Sequence, residues 1–295
     1  MQELLLFAQT PASRQAQLLN ILAGVAGMQP VRVIERHLIF KPNRSPGVKT
    51  GQIGASQGIQ SQQSQALQGQ LQGELFYLHL VGLIDDTTIP NQEFITPQDG
   101  QTNGIKLSQG DGNRRSVNNA GHFEKLEDTP AKPKWCLRYN DWPEAAGRRP
   151  VTSRSTLSVD ISEGNPFKFM EALGYSFVSE YLIEGHRLVY NNISILLHRV
   201  LRFPSESAPR DERSSTNTTV APTATPRSQL PPLDVMVPVD TSDSFILQTF
   251  VHVQDGSKPE SMAAGINELK GFKDLVKGVV DLEIGDRLAL DTRVK

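Results

Sequence analysis

From Val189 to Phe203 most large apolar side chains fall on odd positions: Val189, Ile193, Ile195, Leu197, Leu201 and Phe203. Asn192, Ser194, His198 and Arg202 occupy even ones. A period of two puts alternate side chains on opposite faces of an extended chain, and a helix cannot sustain it. Upstream, Tyr175, Phe177, Tyr181 and Ile183 keep the same period, and Glu184-Gly185-His186 reads as the turn between two arms of a hairpin. Arms this long need a sheet to lie in. Further strand signals run over 31–40 (VRVIERHLIF), 74–84 (ELFYLHLVGLI), 151–161, 233–239, 244–254 and 286–294, and Trp135 reads as strand core. The segment 74–84 is apolar on both faces, as in a strand covered on each side.

Helix signals are fewer. Thr10-Pro11 reads as a cap followed by a proline start, with Leu18, Leu19, Ile21, Leu22 and Val25 as one stripe before Gly27. Asn165-Pro166 repeats the pattern, and Gly174 follows its helix. Ser257 and Glu260 have capping-box spacing ahead of Met262, Ile266 and Leu269, while Gly265, Gly271 and Gly278 weaken or split that helix. About ten strands and three helices without β-α-β alternation predict a mostly β, α+β protein on an antiparallel sheet. The sheet is expected to be a large barrel or strongly curled, with flanking helices; an open sandwich is the alternative.

Three stretches bury too little apolar surface to offset the roughly 1–2 kcal/mol per residue of backbone ordering. They are 41–73, with nine glutamines between Gln52 and Gln72, then 85–119, and 204–232. The expectation is one β-barrel domain over 1–295, interrupted by these three disordered inserts.

The sequence offers little for catalysis. The six histidines show no His-x-His or His-x-x-x-His spacing, and the single Cys136 can form neither an internal disulfide nor a thiolate metal site. No Gly-Lys dipeptide exists for a phosphate-cradling loop. Gly54-Ala55-Ser56-Gln57-Gly58 matches a hydrolase elbow, but it lies in the glutamine tract, where no strand-to-helix turn can hold it. A tunnel-type triphosphatase would line a barrel with Glu-x-Glu-x-Lys. No two glutamates here are two apart, and the acidic pair at that spacing, Asp281/Glu283, is followed by Gly285. Net charge is −2, which disfavours a generic polyanion binder. No apolar run approaches the ~20 residues of a membrane span. The first residues lack a basic n-region, so a cytosolic or nuclear protein is expected, with the sequon at Asn217 idle.

Longer blocks carry a resemblance. The opening QELLLFAQTPASRQAQLLNILAGVAGMQPVRVIERHLIFKP is similar to subunit 18 of Mediator in its filamentous-fungal form. So are WCLRYNDWPE, GNPFKFMEALGYSFVSEYLIEGHRLVY and the block from Ser244 to Val294. The resemblance implies a nuclear β-barrel subunit of the Mediator head module, with no catalytic residues and no cofactor. It further implies pairing with the related subunit 20, capture of a C-terminal helix of subunit 8, and contact with other head-module subunits. The role implied is passage of regulatory signals to the RNA polymerase II machinery, without direct sequence-specific nucleic-acid binding.

Candidate partner anchors are Phe167, Phe169 and Met170, with Phe167 and Met170 one helical turn apart. The alternative is that all three cover the end of the barrel. Trp142 before Pro143 reads as a turn cover or an exposed contact, and Arg148, Arg149, Arg187, Arg199 and Arg202 as a basic patch or a solvated barrel face.

Overall fold

The computed structural model describes residues 1–43, 75–84, 134–145, 149–204 and 225–294. Most of the three polar inserts, Gly54–Gly58 and the sequon at Asn217 lie outside the described residues.

Nine strands carry the fold: β1 (Gln2–Pro11), β2 (Val31–Pro42), β3 (Leu78–Ile84), β4 (Trp135–Asn140), β5 (Thr152–Ile161), β6 (Tyr175–Tyr190), β7 (Ile193–Arg202), β8 (Val237–Pro238) and β9 (Ser244–Val253). Eight of them run antiparallel in the order β6-β2-β3-β4-β5-β1-β9-β7, and pairing of β7 back onto β6 closes the barrel. The two-residue β8 attaches beside the end of β7. The barrel is the expected one, and the sandwich is excluded by the β6–β7 closure. Closure removes the free strand edges an open sheet exposes.

The apolar core lies outside the barrel wall. Even positions of β1 (Leu4, Leu6) and odd positions of β7 and β9 (Ile193, Ile195, Leu197, Phe245, Leu247, Val251, Val253) join one buried cluster. It is covered by Leu18 and Leu22 of α1 (Gln15–Ala26) and by Met262, Leu269 and Phe272 of α3 (Pro259–Leu275). A second cluster gathers Ile34, Leu38 and Phe40 of β2 with Leu80, Leu182, Leu201 and Trp135. Phe167 and Met170 of α2 (Pro166–Ala172) cover it, together with Leu230 and Met236. Full burial of each such side chain is worth about 1.5–3 kcal/mol. The opposite parity of the same strands faces the lumen, where charged and polar groups stand among Ile39, Leu196 and Phe250.

Asn165 caps α2 as its sequence promises, its side-chain oxygen accepting from the Phe167 and Lys168 amides at 2.9 and 3.2 Å. Gly27 ends α1 in the left-handed region, with φ 64°.

Elsewhere the chain departs from expectation. The turn expected at Glu184–His186 does not form: β6 runs unbroken to Tyr190, and the reversal falls at Asn191-Asn192, with Asn191 at φ 53°. Asparagine tolerates that conformation. Gly185 instead sits opposite His198, where a Cβ would clash with the Leu197 carbonyl oxygen and lie 2.7 Å from His198 Cα. The glycine marks a close backbone approach. Because the turn moves, Val189 does not share the face of Ile193 to Leu201 and is exposed.

Thr10 and Pro11 belong to β1, which the sequence did not suggest. Proline is tolerated at a strand end, and α1 starts at Gln15 after a short 3₁₀ turn. The Ser257/Glu260 capping box does not form: Ser257 turns back to Asp255 Oδ1, and α3 starts at Pro259. No strand spans 286–294, which instead makes a single bridge, Phe76 to Arg293. Nor is 204–232 polar filler to its end. Arg36, fully buried on the outer face of β2, donates to Glu180 and to the Arg227 carbonyl at 2.7 Å, and Leu230 enters the second cluster.

Candidate functional site

Lumen-facing residues meet in a cavity of about 680 Å³. Its walls are Glu35, His37 and Ile39 of β2, His79 of β3, Arg138 and Asn140 of β4, and Arg154 and Thr156 of β5. Tyr181 and Arg187 of β6, Phe250 and His252 of β9, Glu3 of β1 and the segment 289–292 complete them. These residues lie far apart in sequence and meet because alternation repeats around a closed barrel.

Two carboxylates organise the lumen. Glu35 Oε2 lies 3.1 Å from His37 Nε2 and 3.6 Å from Arg138, and Glu35 Oε1 accepts from Arg187 at 2.8 Å. Burial alone would raise the Glu35 pKa. The His37 hydrogen bond and the charges of Arg138, His37 and Arg187 outweigh it and hold the group at about 2. Glu3 accepts from Arg154 at 2.6 Å, with His252 at 3.3 Å, and its pKa is lowered despite burial.

His79 is pushed down to about 4 by burial, then by His37, Arg154 and Arg138. The Tyr181 ring stacks on His37 at 4.9 Å, and its hydroxyl is pushed up to about 12 by burial and by Glu35. Among the described residues, no three His, Cys, Asp or Glu groups are placed to share a metal ion. Asp281 and Glu283 lie on the exposed C-terminal segment, away from this cavity.

That segment is tied to the barrel. Phe7 and Glu283 exchange backbone hydrogen bonds, and the Val294 amide donates to Leu75 at 2.7 Å. Arg287 and Arg293 both lie over the Trp142 ring, 3.5 and 3.2 Å from its centroid. Two guanidiniums so close to one ring must take opposite faces, so Trp142 is a clamp for the tail rather than an open contact.

Outside, the three anchor candidates separate. Phe167 packs edge-on against Trp135 at 5.9 Å, and Met170 is fully buried; both complete the second cluster. Phe169 is 44% exposed, beside the exposed Leu173. The arginines do not gather into a patch. Arg187 faces the lumen, Arg199 pairs with Glu184 at 2.9 Å, and Arg149 pairs with Glu144 at 2.6 Å; Arg148 lies outside the described residues.

A surface the sequence did not single out lies on β4 and β5. Leu137 pairs with Val159 and Tyr139 with Leu157, all on the outer parity. Leu157 is 56% and Val159 46% exposed. Neither helix-covered cluster includes Leu157 or Val159. The signal was the shared parity of Leu157, Val159 and Ile161, which reads equally well as buried core.

Closed antiparallel strands, a lumen holding charged groups and a hydrophobic core built outside the wall define a class: helix-flanked barrels. Within it, the chain belongs to the Mediator subunit 18 family, since the profile of the Med18 protein family matches residues 2–293. It is 38% identical over 295 residues to "Mediator of RNA polymerase II transcription subunit 18" of Aspergillus fumigatus, all of both chains being covered. The Yarrowia lipolytica protein of the same name is 23% identical over 297 residues, again with both chains fully covered. A chain in the structure of the Schizosaccharomyces pombe Mediator head module superposes with a TM-score of 0.58 at 18% identity, covering 97% of this chain and 99% of that one. That likeness is one of fold.

Proposed function

We propose that this chain is a non-catalytic interaction subunit of the Mediator head module in the nucleus. It pairs with the related barrel subunit 20, holds a C-terminal helix of subunit 8, and helps convey regulatory signals to RNA polymerase II. The observation that carries this reading is the uncovered apolar strip on β4–β5, with Leu157 and Val159 as its most exposed members. Exposed apolar groups at adjacent positions suit a partner surface. Phe169 and Leu173 on α2 offer a second, helix-sized contact.

The alternative, a tunnel-type triphosphatase, fits the lumen poorly. Such chemistry needs carboxylates free to share a cation, whereas Glu3 and Glu35 are already engaged by Arg154, Arg138 and Arg187. The test is crosslinking mass spectrometry of the assembled head, following Lys134 at the start of β4 and Lys168 beside Phe169. Crosslinks from both lysines to partner subunits support the reading; their absence from an intact head sinks the assigned surfaces. Phosphate release from tripolyphosphate with manganese, above a buffer blank, sinks the non-catalytic part.

A further inference from the structure

The lumen holds more charge than a scaffold requires. Asp291 is neutralised by Arg293, with contacts of 2.9 and 3.0 Å. The remaining lining charges are two carboxylates, Glu3 and Glu35, against three guanidiniums, Arg138, Arg154 and Arg187. The surplus sits around Glu35, a single carboxylate facing two arginines.

Arg187 commits one Nη to Glu35 at 2.8 Å, while Arg138 stands off at 3.6 Å, beyond hydrogen-bond reach. Their side chains remain 42% and 38% exposed. A guanidinium carries five N–H donors, so both retain donors for another acceptor in the cavity.

We infer that the barrel lumen binds a small phosphate-class oxyanion, its oxygens held by Arg138 and Arg187. Glu35 competes with the anion for both guanidiniums. Phosphate and sulfate both supply the oxygens these donors call for.

The test uses the full chain and inorganic phosphate, followed by the ³¹P linewidth and by the melting temperature, with chloride at matched ionic strength as the reference. The expected result is ³¹P broadening with added protein and a melting temperature raised by about 3–5 °C at tenfold excess over Kd. Sulfate competes for the same site. Arg138→Gln and Arg187→Gln abolish the response, and Glu35→Gln, which removes the competing negative charge, strengthens it. No broadening beyond the chloride reference overturns the inference, and this arm depends on no variant. A response unchanged in folded Arg138→Gln and Arg187→Gln places the anion elsewhere and overturns it equally.

Discussion

Gly185 lies in the middle of β6, at the seam where β6 pairs with β7 and closes the barrel. An alanine Cβ there would clash with the Leu197 carbonyl oxygen and lie 2.7 Å from both Cα and Cβ of His198. Neither can retract, because that stretch of β7 is also held by β9 through Leu197–Leu247 and His198–Ile246. The strands must separate locally. Losing one or two ladder hydrogen bonds at about 1 kcal/mol each, plus about 1–3 kcal/mol of overpacking, gives about 2–5 kcal/mol. At about 2–4 °C per kcal/mol for a domain of this size, the melting temperature of Gly185→Ala should fall by about 4–20 °C, followed by far-ultraviolet circular dichroism. Gly24 is the control: it is exposed on α1 with nothing within 4 Å of a Cβ, so Gly24→Ala should leave stability unchanged or raise it by up to about 1 kcal/mol. A Gly185→Ala protein melting within 2 °C of the parent would refute the claim that backbone contact sets this position.

Other expectations follow from the packing and the charges. Phe167→Ala should cost about 3–5 kcal/mol in denaturant unfolding and Phe169→Ala less than about 0.5, because Phe167 is buried and Phe169 exposed; equal costs would contradict that division. Asn165→Ala should lose about 1 kcal/mol with the α2 cap, measured the same way. Acid should destabilise the barrel in two windows, read by titrating melting temperature. Buried His79, depressed from 6.5 to about 4, contributes stability that is complete above 6.5 and lost as pH falls toward 4. Glu35, depressed from 4.5 to about 2, loses its contribution between those values, and each is worth about 3 kcal/mol. Stability that rises as pH falls from 6.5 to 4 would contradict the His79 assignment, and stability that rises as pH falls from 4.5 to 2 would contradict that of Glu35.

Strand periodicity made the barrel legible, because a wall with polar and apolar faces must alternate along every strand. What periodicity could not give was which face was inside. Glu35 and His37 look like isolated polar interruptions of VRVIERHLIF until closure turns them toward Arg138 and Arg187 from other strands. Strand β1 was hidden because Leu4, Leu5 and Leu6 are all buried, erasing the alternation that betrays a strand. The hairpin turn was misplaced because glycine punctuates turns and also permits close strands, and only the register separates the two uses at Gly185 and Asn191. On α2, Phe167 and Met170 were legible as one stripe. Whether that stripe met the chain's own barrel or a partner depended on Trp135, which folding brings against Phe167.

The central claim is that this barrel serves by presenting its outer surface to other subunits. Size-exclusion chromatography with light scattering, on the chain mixed with the subunit 20 proposed as its partner, tests it most directly. A single peak of one-to-one mass, lost when Leu157 and Val159 are both changed to aspartate in a still-folded protein, is the result expected. Two separate peaks from the unaltered proteins at micromolar concentration would contradict it.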